Sequence, residues 1–114
     1  VEVTEAMTRD SGVPLTILAV DGGMTGNNLL MQTVSDCLGV PVIRPMMAET
    51  VALGAAYAAG LVVGYWADRA QFRQNWHRAA QWAPQMQDHQ RGAEFEQWKH
   101  AVKLAIQWSE RPPP

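Results

Sequence analysis

At 114 residues, 47% of them hydrophobic and 18% charged, the chain has the composition of a soluble globular piece of one domain at most. Its net charge of -2, with Lys and Arg scattered rather than in runs, leaves no electrostatic footprint for nucleic acid. Cys37 is the sole cysteine, which excludes an internal disulfide and a CxxC metal or redox site and leaves a small buried hydrophobe on a helix, with a reactive thiol as the alternative.

Residues 1–9 read as the tail of a helix, with Val3, Ala6 and Met7 spaced for one face and Asp10-Ser11-Gly12 as its stop. No charged leader and apolar stretch stands at the start, so no signal peptide is visible. Pro14 opens a new segment, and residues 15–20 are short, mostly apolar and bounded by turn residues, as a buried strand would be. The strand runs into Asp21-Gly22-Gly23. Beyond Asn27-Asn28 the apolar positions Leu29, Leu30, Met31, Val34, Cys37 and Leu38 recur at helical spacing until Gly39. Residues 40–43 suit a second strand, begun at Pro41 and ended by Arg44-Pro45. Strand, glycine turn, helix and strand make a βαβ unit with parallel strands.

The next helix is expected over residues 49–63. Its small residues stack at four-residue spacing, Gly54 with Ala58, Ala55 with Ala59, and Ala56 with Gly60. Each interior glycine costs about 1 kcal/mol relative to alanine, which implies close packing against a neighbour. The apolar run at residues 51–65 is too short for a membrane span, which needs about 20 residues. Residues 68–92 carry a weaker signal, read as a short helix over 69–77 followed by a loop. In the last helix Phe95, Trp98, Val102, Ala105 and Ile106 share a stripe, with Glu94, Glu96, Lys99 and Lys103 off it. Residues 111–114 form a proline-rich tail expected to be disordered, leaving residues 1–110 as the folded segment. Two short parallel strands with three to four helices are an α/β arrangement whose sheet is incomplete, because both strands need further neighbours.

Any chemistry centres on residues 21–27. Glycines at the carboxyl end of a buried strand let the chain turn sharply and let a ligand approach with no Cβ in the way. The following helix aims its unsatisfied amides at the same opening, where ligands of open α/β sheets bind. The motif is neither GxGxxG nor a P-loop, and alone it favours a capped structural turn over a nucleotide or phosphate site. Asp21 and Asn27 are equally at home as turn and cap residues. Glu49 reads as a favourable charge on a helix N-terminus, and Arg44 as a solvated strand-end arginine or a phosphate contact. His77, His89 and His100 have no acid or nucleophile at telling spacing, and the five tryptophans read as packing anchors. No catalytic dyad or triad stands out.

In combination, the motifs resemble the glycerol kinase family. Val20-Asp21-Gly22-Gly23, Asn27-Asn28-Leu29-Leu30-Met31-Gln32 and Ser35-Asp36 are similar to its adenosine-side motif. Val42-Ile43-Arg44-Pro45, residues 49–60, residues 63–66 and Trp98-Lys99-His100-Ala101-Val102 with Trp108 continue the pattern over nearly the whole chain. Related sugar kinases usually carry a third glycine where Asp21 stands; Gly26 and Val51 depart from the glycerol kinase pattern. The resemblance implies a partial ribonuclease-H-like, actin-like ATPase domain that binds ATP or ADP, with nucleotide contacts falling on Gly23 and Asn27 and Gly22 shaping the turn. It implies a cytoplasmic enzyme that passes the ATP γ-phosphoryl to glycerol, and it leaves homo-oligomer formation open. In that family the catalytic base, the phosphate loops, the Mg²⁺ ligands and the glycerol pocket lie ahead of this segment, so the segment alone is expected to be inactive. Another carbohydrate kinase, or a non-catalytic nucleotide-binding module, are the competing readings.

Overall fold

The computed structural model describes residues 1–47, 49–74 and 77–109; the proline-rich tail and Trp76 lie outside them. Along the chain run α1 (Glu2–Ser11), β1 (Leu18–Ala19), a 3₁₀ turn (Gly23–Gly26), α2 (Asn28–Leu38), β2 (Val42–Pro45), α3 (Thr50–Val62), α4 (Ala70–Gln74), β3 (Arg78–Trp82) and α5 (Asp88–Ser109).

The expected βαβ unit forms. β1 and β2 pair in parallel, Leu18 opposite Val42 and Ala19 opposite Ile43, with α2 as the crossover. Gly12 and Gly39 end α1 and α2 in the left-handed conformation, their N–H groups donating to Thr8 O and Ser35 O, both at 2.9 Å. β1 is shorter than the apolar run that holds it. Only its last residues meet β2, and Ile17 stays exposed because the strand lies at a sheet edge.

The sheet holds a third strand that the sequence reading placed in a loop. β3 runs antiparallel to the free edge of β2, giving the order β1-β2-β3. Arg78-Ala79-Ala80-Gln81-Trp82 has no β-branched residue and little alternation, so pairing with β2 rather than local preference makes it a strand. The register shifts between Arg44 and Pro45, where proline has no N–H to offer the ladder. The helix expected over residues 69–77 is present as the five-residue α4. Among the described residues five α-helices and three strands therefore stand where three to four helices and two strands were expected, and the sheet is still open at both edges.

The core sits where α2 crosses the sheet. Met31, Val42 and Ile43 are its buried hydrophobic side chains. Ser35 is fully buried beside them, its hydroxyl within reach of the carbonyls of Val40 (2.9 Å) and Trp82 (3.1 Å), which share one proton. A second joint fixes α5 to α2. Arg91 donates to Asp36 O at 2.6 Å and to Met86 O at 3.0 Å, and pairs with Asp88 at 2.8 Å.

Elsewhere apolar stripes lack covers. α3 buries Gly60, where an added Cβ would run into the Trp66 ring at 2.1 Å, and Tyr57 stacks on Phe72 with ring centroids 4.1 Å apart. Its remaining small residues, Gly54 among them, face open space, and Val51 is 87% exposed. On α5, Phe95 and Val102 are half-buried while Trp98 and Ile106 are exposed. Among the described residues no helix is long and apolar enough to cross a membrane.

Candidate functional site

The glycine turn lies at the carboxyl end of β1, and its geometry comes from three residues. Gly22 has φ 87° and ψ 170°, a conformation essentially confined to glycine, so any other residue there would cost about 1–3 kcal/mol. It turns the chain out of the strand and into the 3₁₀ turn. Thr25, buried, closes that turn twice on the Gly22 carbonyl: its hydroxyl donates at 2.7 Å and its N–H at 3.1 Å. The N–H of Asn27 then donates to Met24 O at 3.1 Å, and its side-chain Oδ1 accepts from the Leu30 N–H at 3.0 Å, capping α2.

Gly23 is different. It has no positive φ, it is exposed, and a Cβ built on it would meet nothing within 4 Å. Nothing among the described residues requires glycine there, so folding alone does not account for it. Glycine at such a place suits close approach by a molecule from outside the chain. Gly26 has the same open surroundings. Leu29, expected on the buried stripe of α2, is 77% exposed two residues beyond Asn27, and Met24 within the turn is also exposed. The turn thus combines backbone amides at a helix start, one free side-chain amide at Asn27 Nδ2, and apolar side chains open to solvent.

Two ties hold this turn from the β2–α3 side. Arg44 Nη1 donates to Thr25 O at 2.6 Å, and the Arg44 guanidinium lies over the Trp82 ring, 5.4 Å from its centroid. The Thr50 hydroxyl, in the first turn of α3, donates to Asp21 Oδ2. Arg44 is therefore engaged within the fold rather than a solvated strand-end residue, a role that sequence reading missed. Its partner is a backbone carbonyl, which leaves no mark in side-chain identity. Glu49 precedes α3 without a side-chain capping bond.

The other sequence candidates do not join the turn. Cys37 is half-buried and lines a groove of about 630 Å³ with Leu38, Phe95, Arg9 and Leu15, between α1, α2 and α5. Polar side chains, Thr4, Glu5, Thr8, Asp88 and Arg91, also line that groove, but no residue of the glycine turn does. His77, His89 and His100 are exposed. Trp66 and Trp82 serve as packing anchors, whereas Trp98 and Trp108 are exposed. Among the described residues no three His, Cys, Asp or Glu side chains are grouped to hold a metal ion.

Comparison with known proteins adds to this geometry. Residues 1–63 match the C-terminal domain of the FGGY family of carbohydrate kinases. Across 96% of its length the chain is 58% identical to glycerol kinase 1 of Streptomyces avermitilis and 58% identical to a glycerol kinase of Saccharopolyspora erythraea, of which it spans 21% and 22%. The fold superposes on a crystal structure of Plasmodium falciparum glycerol kinase with ADP at a TM-score of 0.79 and 31% identity, covering 90% of this chain and 21% of that one. It superposes on a Lactobacillus acidophilus xylulose kinase at a TM-score of 0.66 and 13% identity, covering 86% of this chain and 20% of that one; this is a likeness of fold alone. The chain thus spans about a fifth of the length of the relatives it matches.

Proposed function

Since the chain belongs to the FGGY family of carbohydrate kinases, as part of the C-terminal domain, we propose that it supplies the adenosine side of the ATP site of a glycerol kinase. Gly22, Gly23 and Asn27 are the residues that meet the nucleotide. The carrying observation is the exposed turn at the carboxyl end of β1, where Gly23 keeps open a space that nothing in the fold needs. The 58% identity to two glycerol kinases, and the likeness to one crystallised with ADP, support glycerol as acceptor and ATP as donor.

In this reading Gly22 aims the turn, Gly23 admits the adenosine without a side chain between, and Asn27 Nδ2 donates to it. Phosphoryl transfer depends on positioning and on charge stabilisation. This segment contributes positioning at the far end of the nucleotide. The base, the phosphate loops and the Mg²⁺ ligands belong to other parts of the kinase, which works in the cytoplasm. The 114-residue chain alone is catalytically silent.

Two measurements test this. The isolated chain should give no glycerol-dependent turnover of ATP to ADP; measurable turnover would overturn its silence. In the full-length kinase, Gly23→Val should raise the KM for ATP by about tenfold or more, since a single methylene at a contact is already worth about 1–3 kcal/mol and valine adds three carbons. The KM for glycerol should hardly move. Equal effects on both substrates would remove Gly23 from the nucleotide site.

A further inference from the structure

We propose that Arg44 is a positioning residue for the nucleotide turn, acting through the Thr25 carbonyl rather than by touching the substrate. The inference rests on the reading of that turn as the adenosine site. Three observations carry it. The first is the bond from Arg44 Nη1 to Thr25 O, at 2.6 Å across nineteen residues of sequence, which joins β2 to the 3₁₀ turn. The second is the place of Thr25: it is buried, and both its N–H and its hydroxyl close on the Gly22 carbonyl, so its position sets where Gly22 and Gly23 lie. The third is that Arg44 is itself held, with its guanidinium over the Trp82 ring of β3. A charge-assisted bond from a side chain fixed at both ends restrains the turn more tightly than the turn's own bonds to Gly22 O.

The physical consequence concerns order before binding. A 3₁₀ turn of four residues, two of them glycine, has many conformations open to it once a tie is lost. If the turn must be ordered for the nucleotide to bind, the affinity falls by the fraction of time it is misplaced. That penalty applies to ATP and not to glycerol, which gives Arg44 a signature that a general loss of stability lacks. Arg44 also joins β3 to the site through Trp82.

The test is a kinetic cycle in the full-length kinase, with Gly23→Val as the control for the site itself. Arg44→Met should raise the KM for ATP about tenfold, the size expected for losing one charge-assisted hydrogen bond, with the KM for glycerol unchanged. Arg44→Lys keeps the charge over Trp82 without the planar fork and should fall between; it carries the same test if Arg44→Met does not accumulate. Thr25→Val removes the hydroxyl bond to Gly22 O, and combined with Arg44→Met it should be clearly less than additive, because both loosen one turn. Additive effects, or equal changes in both KM values, would overturn the positioning role. A raised ATP KM in Gly23→Val beside an unaltered one in Arg44→Met and Arg44→Lys would overturn it alone. An unaltered ATP KM in Gly23→Val would overturn the nucleotide reading and Arg44's role with it.

Discussion

Asn27 carries two polar atoms at the end of one short side chain, and the fold engages Oδ1 to cap α2 through the Leu30 N–H. In the proposed adenosine site Nδ2 is the side-chain donor that Asn27 would offer. An Asn27→Ala substitution would therefore mix two effects, since losing an N-cap costs about 1 kcal/mol by itself. Asn27→Asp separates them: it keeps the capping oxygen and places a negative charge where the helix dipole favours it, but removes the donor. The expected outcome in the full-length kinase is an unchanged or slightly raised melting temperature with an ATP KM several-fold higher, about the worth of one hydrogen bond. An unaltered ATP KM would take Asn27 out of the site and leave it a cap. At this scale the turn was legible because Gly22 and Asn27 are the residue types that its backbone demands. Arg44 was not legible, since nothing in residues 44–45 names a carbonyl nineteen positions away as its partner.

Between elements, the joint from α2 to the β3–α5 connection rests on Asp36. A carboxylate near the C-terminal end of a helix is disfavoured by the dipole, yet this one accepts three N–H groups. They come from the Gln85 backbone at 2.6 Å, the Met86 backbone at 3.2 Å and the Gln32 amide at 3.0 Å. The Gln85 bond, helped by those of Met86 and Gln32 and by the Arg91 charge, holds its pKa below the ordinary aspartate value of 3.8. The folded pKa is thus lower than the unfolded one. The contribution of Asp36 is complete at neutral pH and fades as the pH falls below about 4, through the folded pKa. Hydrogen exchange at the Gln85 and Met86 amides of the full-length protein should follow this, with protection declining in acid. In Asp36→Asn protection should be weaker at neutral pH and flat across that acid range; an acid dependence unchanged in the variant would assign the joint to another group. α2 and α3 were legible from local period and stop signals, whereas β2 was legible in place but runs on through the Arg44-Pro45 expected to end it. β3 was not, because its strand state comes from the free edge of β2, and the short Arg-Ala-Ala-Gln-Trp run has no pattern of its own.

Over the whole molecule, packing is concentrated in one corner. A compact chain of this length would have a radius of gyration of about 13 Å, but here it is 19.3 Å, with a longest extent of 63 Å. Three buried hydrophobic side chains stand against long apolar stripes on α3 and α5 that face solvent, and β1 and β3 each leave a strand edge open. These stripes are regular: the α3 spacing that implied a close neighbour is intact, and what it implied is contact that the described residues do not supply. Cooperative unfolding needs a core whose parts depend on one another. Here α3 with Trp66 and Phe72 forms one cluster, and α2 with the sheet forms another. The isolated 114-residue chain should accordingly unfold without a sharp calorimetric transition and bind a hydrophobic dye strongly at neutral pH, while keeping helical far-UV circular dichroism. Adding the remainder of a full-length glycerol kinase in trans would be expected to suppress the dye signal by covering α3. A single sharp transition in the isolated monomer, with calorimetric and van't Hoff enthalpies equal, would show instead that the α2–sheet corner alone is enough to hold the fold.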